Sequence, residues 1–304
     1  MSTISVKRKK IRSGEVGMSG NWIVHIVLLL GSAVMILPFL FMILTAFKTR
    51  PETIAVPPVI FPQQLFEQAF GADGKGFMHI FENFSFAMSK IPNFSIAYFN
   101  TFAMMAICIT CAAVFSSMAA YGFAKMHFPL KNFFFSTVVI QLMLPPQVFI
   151  MYQYRMVIAL GWKNTIMALA FPGLVSAFGV FFMRQFYMSL PNDLSEAARL
   201  DGCNHFQIFT LIMVPLTKTA LMALSIFTAL FAWSNLMWPL IVNTREESWT
   251  LSVVLANLDQ MAPRGVGPHH YMSIALLAMA PMVVLYMFFQ KQFIEGIALT
   301  GTKA

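Results

Sequence analysis

The chain is short of charge and of cysteine. Only 11% of its 304 residues are Asp, Glu, Lys or Arg, whereas soluble domains carry about 25%. Three cysteines, Cys108, Cys111 and Cys203, are too few for the disulfide framework of a small secreted fold. These two shortages argue against an ordinary soluble domain and against a disulfide-stabilised one.

Apolar side chains take the place of charge: 58% of the residues are hydrophobic, and the mean hydropathy is +0.71. Lipid cannot satisfy the backbone of an open strand, and no apolar run alternates as a barrel strand would. The sequence therefore predicts an all-α, polytopic membrane protein with six transmembrane helices. The predicted spans are the charge-free runs 22–47, 99–124, 133–151, 165–183, 219–242 and 271–289.

Basic residues are concentrated on one side of the predicted membrane. An even number of spans places both termini on that side. Because basic flanks resist translocation, we predict that both termini are cytoplasmic. Residues 1–21 would form a basic tail, 22–293 the six-helix domain and 294–304 a C-terminal tail. The basic residues of the first tail are Lys7, Arg8, Lys9, Lys10 and Arg12.

The predicted cytoplasmic loop 184–218 contains start and stop signals for a short helix. Asp193 is predicted to cap it, with Glu196 closing a capping box. Gly202 is predicted to end it. About eight residues would give a helix of roughly 12 Å.

The composition of this helix suggests contact with another protein. Ala197 and Ala198 keep one stretch narrow, whereas Glu196, Arg199 and Asp201 supply charge. A short helix with small side chains is suited to a cleft on a partner. From the pattern alone, an amphipathic connector on the membrane surface is an equal alternative.

These residues resemble a known signature. Glu196-Ala197-Ala198, Asp201-Gly202 and Pro215-Leu216 are similar to the EAA motif of binding-protein-dependent ABC importer permeases. The resemblance extends over most of the chain from Phe99 onward and is to the carbohydrate branch, which includes maltose and glycerol-phosphate permeases. It implies the type I ABC importer permease fold. The additional segments that carry it are 144–148, 160–165, 171–172, 176–185, 238–242 and 293–303.

The resemblance also implies roles, partners and a location in a bacterial inner membrane. This chain would be one permease subunit beside a second one, two cytoplasmic ATPases and an extracytoplasmic solute-binding protein. ATP and magnesium would bind to the ATPases, and no cofactor to this chain. The coupling helix in the ATPase cleft would comprise Asp193, Glu196, Ala197, Ala198, Arg199, Asp201 and Gly202. The loop with Trp249, Arg264 and Gly265 would contact the binding protein.

Two positions depart from the family pattern. Cys203 stands where the family commonly has alanine, which is a nearly isosteric change. Ser234-Asn235-Leu236 replaces the usual Asn-acid-aromatic stretch, and this removes an acid from the fifth predicted span. A solute-binding role is therefore not transferred from that motif.

No catalytic or metal-binding constellation is present in the sequence, which predicts a protein that is not an enzyme. His269-His270 lacks an evident third ligand. The glycine-rich segment 71–76 lacks P-loop spacing. Among the predicted spans, only His25 is ionisable near membrane depth, which favours energy input from outside the membrane over an ion-coupled carrier.

Uncharged polar groups in or beside the spans suit the hydroxyls of a sugar or oligosaccharide. The candidates for the solute pathway are Gln141, Trp233, Ser234 and Asn235, and Asn100 is a further polar residue of this kind. Trp233 could stack on a sugar face, although contacts between helices are the alternative for each residue. A polyol phosphate is the second candidate solute, and an ATP-independent secondary carrier or channel is the alternative of a different class.

Overall fold

The computed structural model describes residues 22–63, 81–261 and 266–301, and regular secondary structure in these ranges is entirely helical. The prediction of an all-α protein is thereby confirmed. In chain order the α-helices are α1 (Trp22–Ala46), α2 (Arg50–Ile54), α3 (Glu82–Lys90), α4 (Phe94–Cys111), α5 (Ser117–Lys125), α6 (Lys131–Met143), α7 (Ile150–Ala159), α8 (Ile166–Ala170), α9 (Ala177–Ser189), α10 (Asp193–Leu200), α11 (His205–Gln207), α12 (Val214–Leu216), α13 (Lys218–Ser234), α14 (Met237–Val242), α15 (Leu251–Ala256), α16 (Leu258–Met261) and α17 (Pro268–Gly301).

Short segments of other helix types join some of these elements. The π-helical segments Ala112–Ser116 and Ile208–Met213 connect α4 to α5 and α11 to α12. The 3-10 turns are Pro146–Phe149, Phe171–Gly173 and Glu246–Ser248. The second predicted span is consequently one long helical segment from Phe94 to Lys125.

In the described ranges, three continuous helical segments are long and apolar enough to cross a membrane, namely Val24–Ala46, Phe94–Lys125 and Pro268–Gln290. They match the first, second and sixth predicted spans. Three further pairs of helices qualify only as bent pairs, which gives up to six spans. The third, fourth and fifth predicted spans are therefore not straight helices.

The third predicted span, 133–151, is broken by proline. α6 ends at Met143, and the helical segment that begins at Pro146 is turned by 107°. Pro145 and Pro146 lack backbone N–H groups, and proline excludes the preceding residue from helical geometry. An apolar run without charge therefore did not amount to one straight helix here.

The fourth and fifth predicted spans are bent as well. The segments Ile166–Gly173 and Ala177–Ser189 of the fourth meet at 46°. The bend of 80° between His205–Leu216 and Lys218–Ser234 lies just before the start of the predicted fifth span. The predicted fifth span, 219–242, is interrupted after Ser234, and α14 follows as a separate helix. The predicted loop 184–218 is largely helical, because hydrogen bonding continues where polar residues interrupt the apolar pattern.

Small residues allow α9 to pack closely against the π-helical segment that precedes α5. The hydroxyl of Ser116 accepts a hydrogen bond from the N–H of Ser176 at 3.2 Å. A Cβ placed on Gly179 would lie 3.0 Å from the Cβ of Ser116. Glycine and serine permit this approach because they carry so few atoms.

Buried side chains form two core clusters. One, near α10, includes Ala120, Tyr187, Ala198, Ile208 and Leu224. The other includes Phe94, Trp233 and Leu251, beside the loop 243–250. Thr101 binds Leu251, which follows the loop 243–250, and Lys125 binds Asn192, which precedes α10. These two residues of the second helical segment are separated by roughly 36 Å of helix at 1.5 Å per residue. The α10 end and the loop 243–250 end thus lie at opposite ends of the bundle.

Candidate functional site

The predicted docking helix is present as α10, but its first turn differs from the prediction. The N-cap residue is Asn192, with φ −73° and ψ −26°, and its side chain makes no capping hydrogen bond. Asp193 is the first helical residue, so the prediction that it caps the helix in a box with Glu196 was wrong. Both acids lie in the first turn, where their charge interacts favourably with the helix dipole.

The other end of α10 terminates as predicted. Gly202 has φ +87°, which is the left-handed region that favours glycine. Its N–H donates to the carbonyl of Arg199 at 3.0 Å, and the N–H of Cys203 donates to the carbonyl of Ala198 at 2.9 Å. These two bonds form a Schellman motif, which gives the last carbonyls of the helix their partners.

One narrow face of α10 is buried. Ser195 and Ala198 lie on it, and Ala198 packs against the core cluster that contains Tyr121 and Tyr187. Leu200, which the sequence did not single out, is 89% exposed. The rest of the predicted coupling set is exposed, namely Asp193, Glu196, Ala197, Arg199, Asp201 and Gly202. The helix thus presents three acids, one base and two large apolar side chains, Leu194 and Leu200, away from the bundle.

Lys125, the last residue of α5, holds the segment that leads into α10. Its Nζ donates to the carbonyl oxygen of Leu190 at 2.6 Å and to Oδ1 of Asn192 at 2.7 Å. The ammonium therefore uses the oxygen that would otherwise cap α10. A cap contributes about 1 kcal/mol and a hydrogen bond to a charged group about 1.5–3 kcal/mol. The lysine contact is the stronger of the two. The backbone of Asn192 is also in the right-handed helical region and not in the extended conformation that a capping residue adopts, so the side chain binds Lys125 and does not cap α10.

A buried pair of hydroxyls joins two helices behind α10. The phenol of Tyr187, in α9, is fully buried, and its oxygen lies 2.6 Å from the hydroxyl of Ser117, in α5. The buried hydroxyl of Thr217, which precedes α13, donates instead to the carbonyl of Met213 at 2.8 Å. Because the two paired hydroxyls have no access to water, their contact stabilises one arrangement of α5 relative to α9.

Trp233, one of the candidates for solute stacking, is buried. Its side chain is 9% exposed, and its ring packs edge-on against Phe102 at 5.1 Å between centroids. Its Nε1 donates to the carbonyl of Ala278 at 3.2 Å. In this structure Trp233 joins α13 to α4 and α17, and it offers no open face for a sugar.

The other pathway candidates are more accessible. Gln141 on α6 and Ser234 at the end of α13 are exposed, whereas Asn235 is half-buried at the break between α13 and α14. The hydroxyl of Ser234 donates to the carbonyl of Leu230 at 2.7 Å within its own helix. Its oxygen can still accept a hydrogen bond, since a hydroxyl is both donor and acceptor.

Asn100 is committed to the loop 243–250 rather than to a pathway. Its Nδ2 donates to the carbonyls of Glu247 and Trp249, each at 3.0 Å. The neighbouring Thr101 accepts the N–H of Leu251 at 2.9 Å through its hydroxyl. The start of the long second helical segment thus fixes the backbone that leads from the loop into α15.

The loop 243–250 is further ordered by Asn164, which has φ +61°. Its Oδ1 accepts the N–H groups of Thr244 at 2.7 Å and of Arg245 at 3.2 Å. Trp249 is half-buried and its Nε1 donates to the carbonyl of Asn243 at 3.1 Å, so the indole anchors the loop. The exposed side chains are those of Thr244, Arg245, Glu246 and Glu247. The predicted contacts Arg264 and Gly265 lie outside the described residues.

Three of these anchoring residues were not identified from the sequence. Lys125 entered the sequence analysis only as a positive charge on one side of the membrane, because its partners are distant in the chain. Asn192 was not identified because Asp193 has Glu196 three residues later, which is the spacing of a capping box. Asn164 carried one usable signal, since asparagine is enriched in the left-handed region that turns require.

The described residues contain no group of three or more His, Cys, Asp and Glu side chains placed to hold a metal ion. His269 and His270 do lie together, with 3.9 Å between their ring centroids. His270 also stacks on Phe86 at 4.1 Å. These rings therefore pack against each other at the beginning of α17.

Comparison with known proteins places this geometry in context. Residues 112–298 match the model of a family described as binding-protein-dependent transport system inner membrane component. The chain is 34% identical over 223 residues to the arabinooligosaccharides transport system permease protein AraQ of Bacillus subtilis, covering 73% of this chain and 79% of that one. It is 27% identical over 286 residues to the sn-glycerol-3-phosphate transport system permease protein UgpE of Brucella suis, covering 92% and 96%.

A solved structure is similar as well. A chain from the crystal structure of a bacterial ABC transporter involved in the import of the acidic polysaccharide alginate superposes with a TM-score of 0.72. The sequences are 19% identical, and the match covers 89% of this chain and 95% of the other. The two chains share their fold, which agrees with the predicted type I permease architecture.

Proposed function

The chain belongs to the family of binding-protein-dependent transport system inner membrane components, and from this premise we propose that it forms half of the translocation pathway of an ATP-driven oligosaccharide importer. It is a membrane transport component and not an enzyme. Its family implies an energising ATPase and a solute-binding protein as partners. We propose that a second permease subunit and two ATPase subunits, with ATP and magnesium on the latter, complete the complex.

The observation that carries the coupling part of the proposal is the exposure of α10. Ser195 and Ala198 face the core, whereas Asp193, Glu196 and Arg199 face outward. A charged helix that is fixed on one side and free on the other is suited to a cleft lined with complementary charge. We infer that Glu196 pairs with a basic residue of the ATPase and that Leu200 enters an apolar recess there.

In the proposed mechanism the ATPase subunits move α10, and α10 moves the bundle. ATP binding draws the two ATPase subunits together, and hydrolysis allows them to separate. The spans respond because Ala198 of α10 belongs to a buried cluster that also contains Tyr121 of α5 and Tyr187 of α9. We propose that both termini and α10 face the cytoplasm, as the distribution of basic residues predicts, and that the loop 243–250 faces the solute-binding protein.

Two relatives suggest two solute classes. AraQ is an arabinooligosaccharide permease and UgpE is an sn-glycerol-3-phosphate permease by name. An anionic phosphate requires positive charge along its path. The predicted spans contain no Lys or Arg, but Arg155 in α7 and Arg184 in α9 lie just beyond their limits. We propose the neutral oligosaccharide because the identity to AraQ, 34%, is higher than the 27% to UgpE. Competition for uptake by arabinotriose and by glycerol 3-phosphate separates the two classes.

The test of the coupling proposal is purification of the complex from its native membrane in mild detergent. The unsubstituted chain should retain an ATPase, and Glu196→Lys should release it while the permease stays folded. Glu246→Lys is the matched control, since Glu246 is an exposed acid at the opposite end of the bundle. Unchanged ATPase retention and unchanged ATP-dependent uptake in Glu196→Lys would refute docking through α10.

A further inference from the structure

Three helix ends meet at the side chain of Lys125. α5 ends at Lys125 itself, α9 ends just before Leu190, and α10 begins just after Asn192. Lys125 is only 9% exposed, and both of its hydrogen bonds, at 2.6 and 2.7 Å, go to the short link between α9 and α10. A buried ammonium requires such partners, because removing it from water without them is costly.

Apart from its bonds to Lys125, the link between α9 and α10 has little to keep it rigid. It comprises Leu190, Pro191 and Asn192, which are not helical. Proline has no N–H with which to stabilise the link. Lys125 binds on both sides of Pro191, at the carbonyl of Leu190 and at the side chain of Asn192. The ammonium therefore prevents the two ends of the link from moving independently.

Packing alone does not fix α10 firmly. Its buried side chains are those of Ser195 and Ala198, which are small. Small side chains bury little apolar area, and apolar stabilisation scales with that area. A force applied to the exposed face of α10 would therefore be absorbed by the link if the link were free to bend.

We propose that Lys125 is a positioning residue that passes the displacement of α10 directly to the end of the second helical segment. This inference rests on the proposed function, in which the ATPase moves α10. Lys125 makes no contact with ATP or solute in this role. It converts α5, the link and the start of α10 into one rigid body, so that movement of α10 moves the segment Phe94–Lys125.

The bundle holds a separate brace that lets Lys125 be altered without separating α5 from α9. Arg184 in α9 donates from Nε to the carbonyl of Phe123 at 3.3 Å, and its guanidinium lies 3.9 Å from the ring centroid of Phe135. The Ser117 to Tyr187 contact joins the same two helices at 2.6 Å. Lys125→Met retains the length of the side chain and removes only the charge and its donors.

Lys131 supplies a matched control. It lies on the same edge of the bundle, and its Nζ donates at 2.8 Å to the carbonyl of Met126, the residue that follows α5. Lys131→Met therefore removes a comparable cation and hydrogen bond without touching the link to α10. Asn192→Leu removes one acceptor of Lys125, whereas Asn192→Asp replaces it with a carboxylate that can still accept.

The experiment measures ATP hydrolysis and arabinotriose uptake by the intact complex in proteoliposomes. Lys125→Met should keep its ATPase and continue to hydrolyse ATP, while arabinotriose taken up per ATP falls by about tenfold or more, given the strength of charged hydrogen bonds. Asn192→Leu should reduce the ratio by less and add nothing in the double variant with Lys125→Met. Lys131→Met and Asn192→Asp should behave as the unsubstituted chain.

The outcomes distinguish this inference from the proposed function. If the unsubstituted complex works and Lys125→Met retains its uptake per ATP, the positioning role is overturned and the proposed function stands. If the unsubstituted chain retains no ATPase and shows no ATP-dependent uptake, both are overturned. A purely structural role for Lys125 would lower the amount of complex and both rates together, leaving their ratio unchanged, and this also overturns the inference.

Discussion

Replacement of Gly202 tests how the end of α10 is held. Gly202 has φ +87°, and a Cβ placed there would meet no atom within 4 Å. The cost of Gly202→Ala is therefore that of the left-handed backbone, about 1–2 kcal/mol for an L-residue. If this cost falls on the last turn, that turn should open about 5- to 30-fold more often. Gly202→Asn should open it less, because asparagine tolerates this conformation better.

Hydrogen exchange of the Cys203 amide measures this opening, since its N–H donates to the carbonyl of Ala198 at 2.9 Å and closes the motif. The control is Gly122→Ala in α5, where a Cβ also meets no atom within 4 Å and φ is not positive. Alanine should be neutral or stabilising there by about 1 kcal/mol. Exchange at Cys203 that is unaffected by Gly202→Ala, or faster in the asparagine variant than in the alanine variant, would refute this account of the helix end.

Three further substitutions test the packing around α10 and the loop 243–250. Tyr187→Phe leaves the buried hydroxyl of Ser117 without its partner and should lower the free energy of unfolding in detergent by about 1–3 kcal/mol. Ser117→Ala should add little in the double variant, and fully additive losses would contradict the Ser117–Tyr187 hydrogen bond. Ser195→Ala removes a buried hydroxyl that has no hydrogen-bond partner in the structure, so stability should hold or rise by about 1 kcal/mol; a clear drop in the melting temperature would count against the assigned burial. Asn164→Ala should speed hydrogen exchange at the amides of Thr244 and Arg245, which Asn164→Asp should still protect, and equal exchange in both variants would show that Oδ1 does not order the loop.

The charge-free apolar runs were sufficient to predict the fold class, because lipid admits helices and closed barrels alone. They did not predict the shape of each span. The run 133–151 contains no charged residue, but the structure turns by 107° between Met143 and Pro146. Hydropathy indicates whether a segment is stable in lipid. Backbone hydrogen bonding decides whether the segment is a straight helix, and proline interrupts that bonding without lowering the hydropathy.

For α10 as well, one feature could be predicted from the local sequence and another could not. Its C-terminus was predictable, since the need for glycine at Gly202 arises from the conformation of that residue itself. Its N-terminus was mispredicted by one residue, and the side chain of the actual N-cap residue, Asn192, is bound by Lys125, which is 67 positions away. Propensity rules describe neighbours in the chain and do not include such a competitor.

The sequence by itself determined that this is a helical membrane protein of a transport family, and that a short charged helix ends at Gly202. The membrane class depends on composition and the helix end on local backbone preference, whereas the transport family was indicated by the resemblance of the EAA motif and its neighbouring segments. Only the tertiary structure decided that Trp233 is buried, that Asn100 and Asn164 hold the loop 243–250, and that Lys125 joins three helix ends. Each of these depends on residues that are distant in the chain and meet only when the helices pack together.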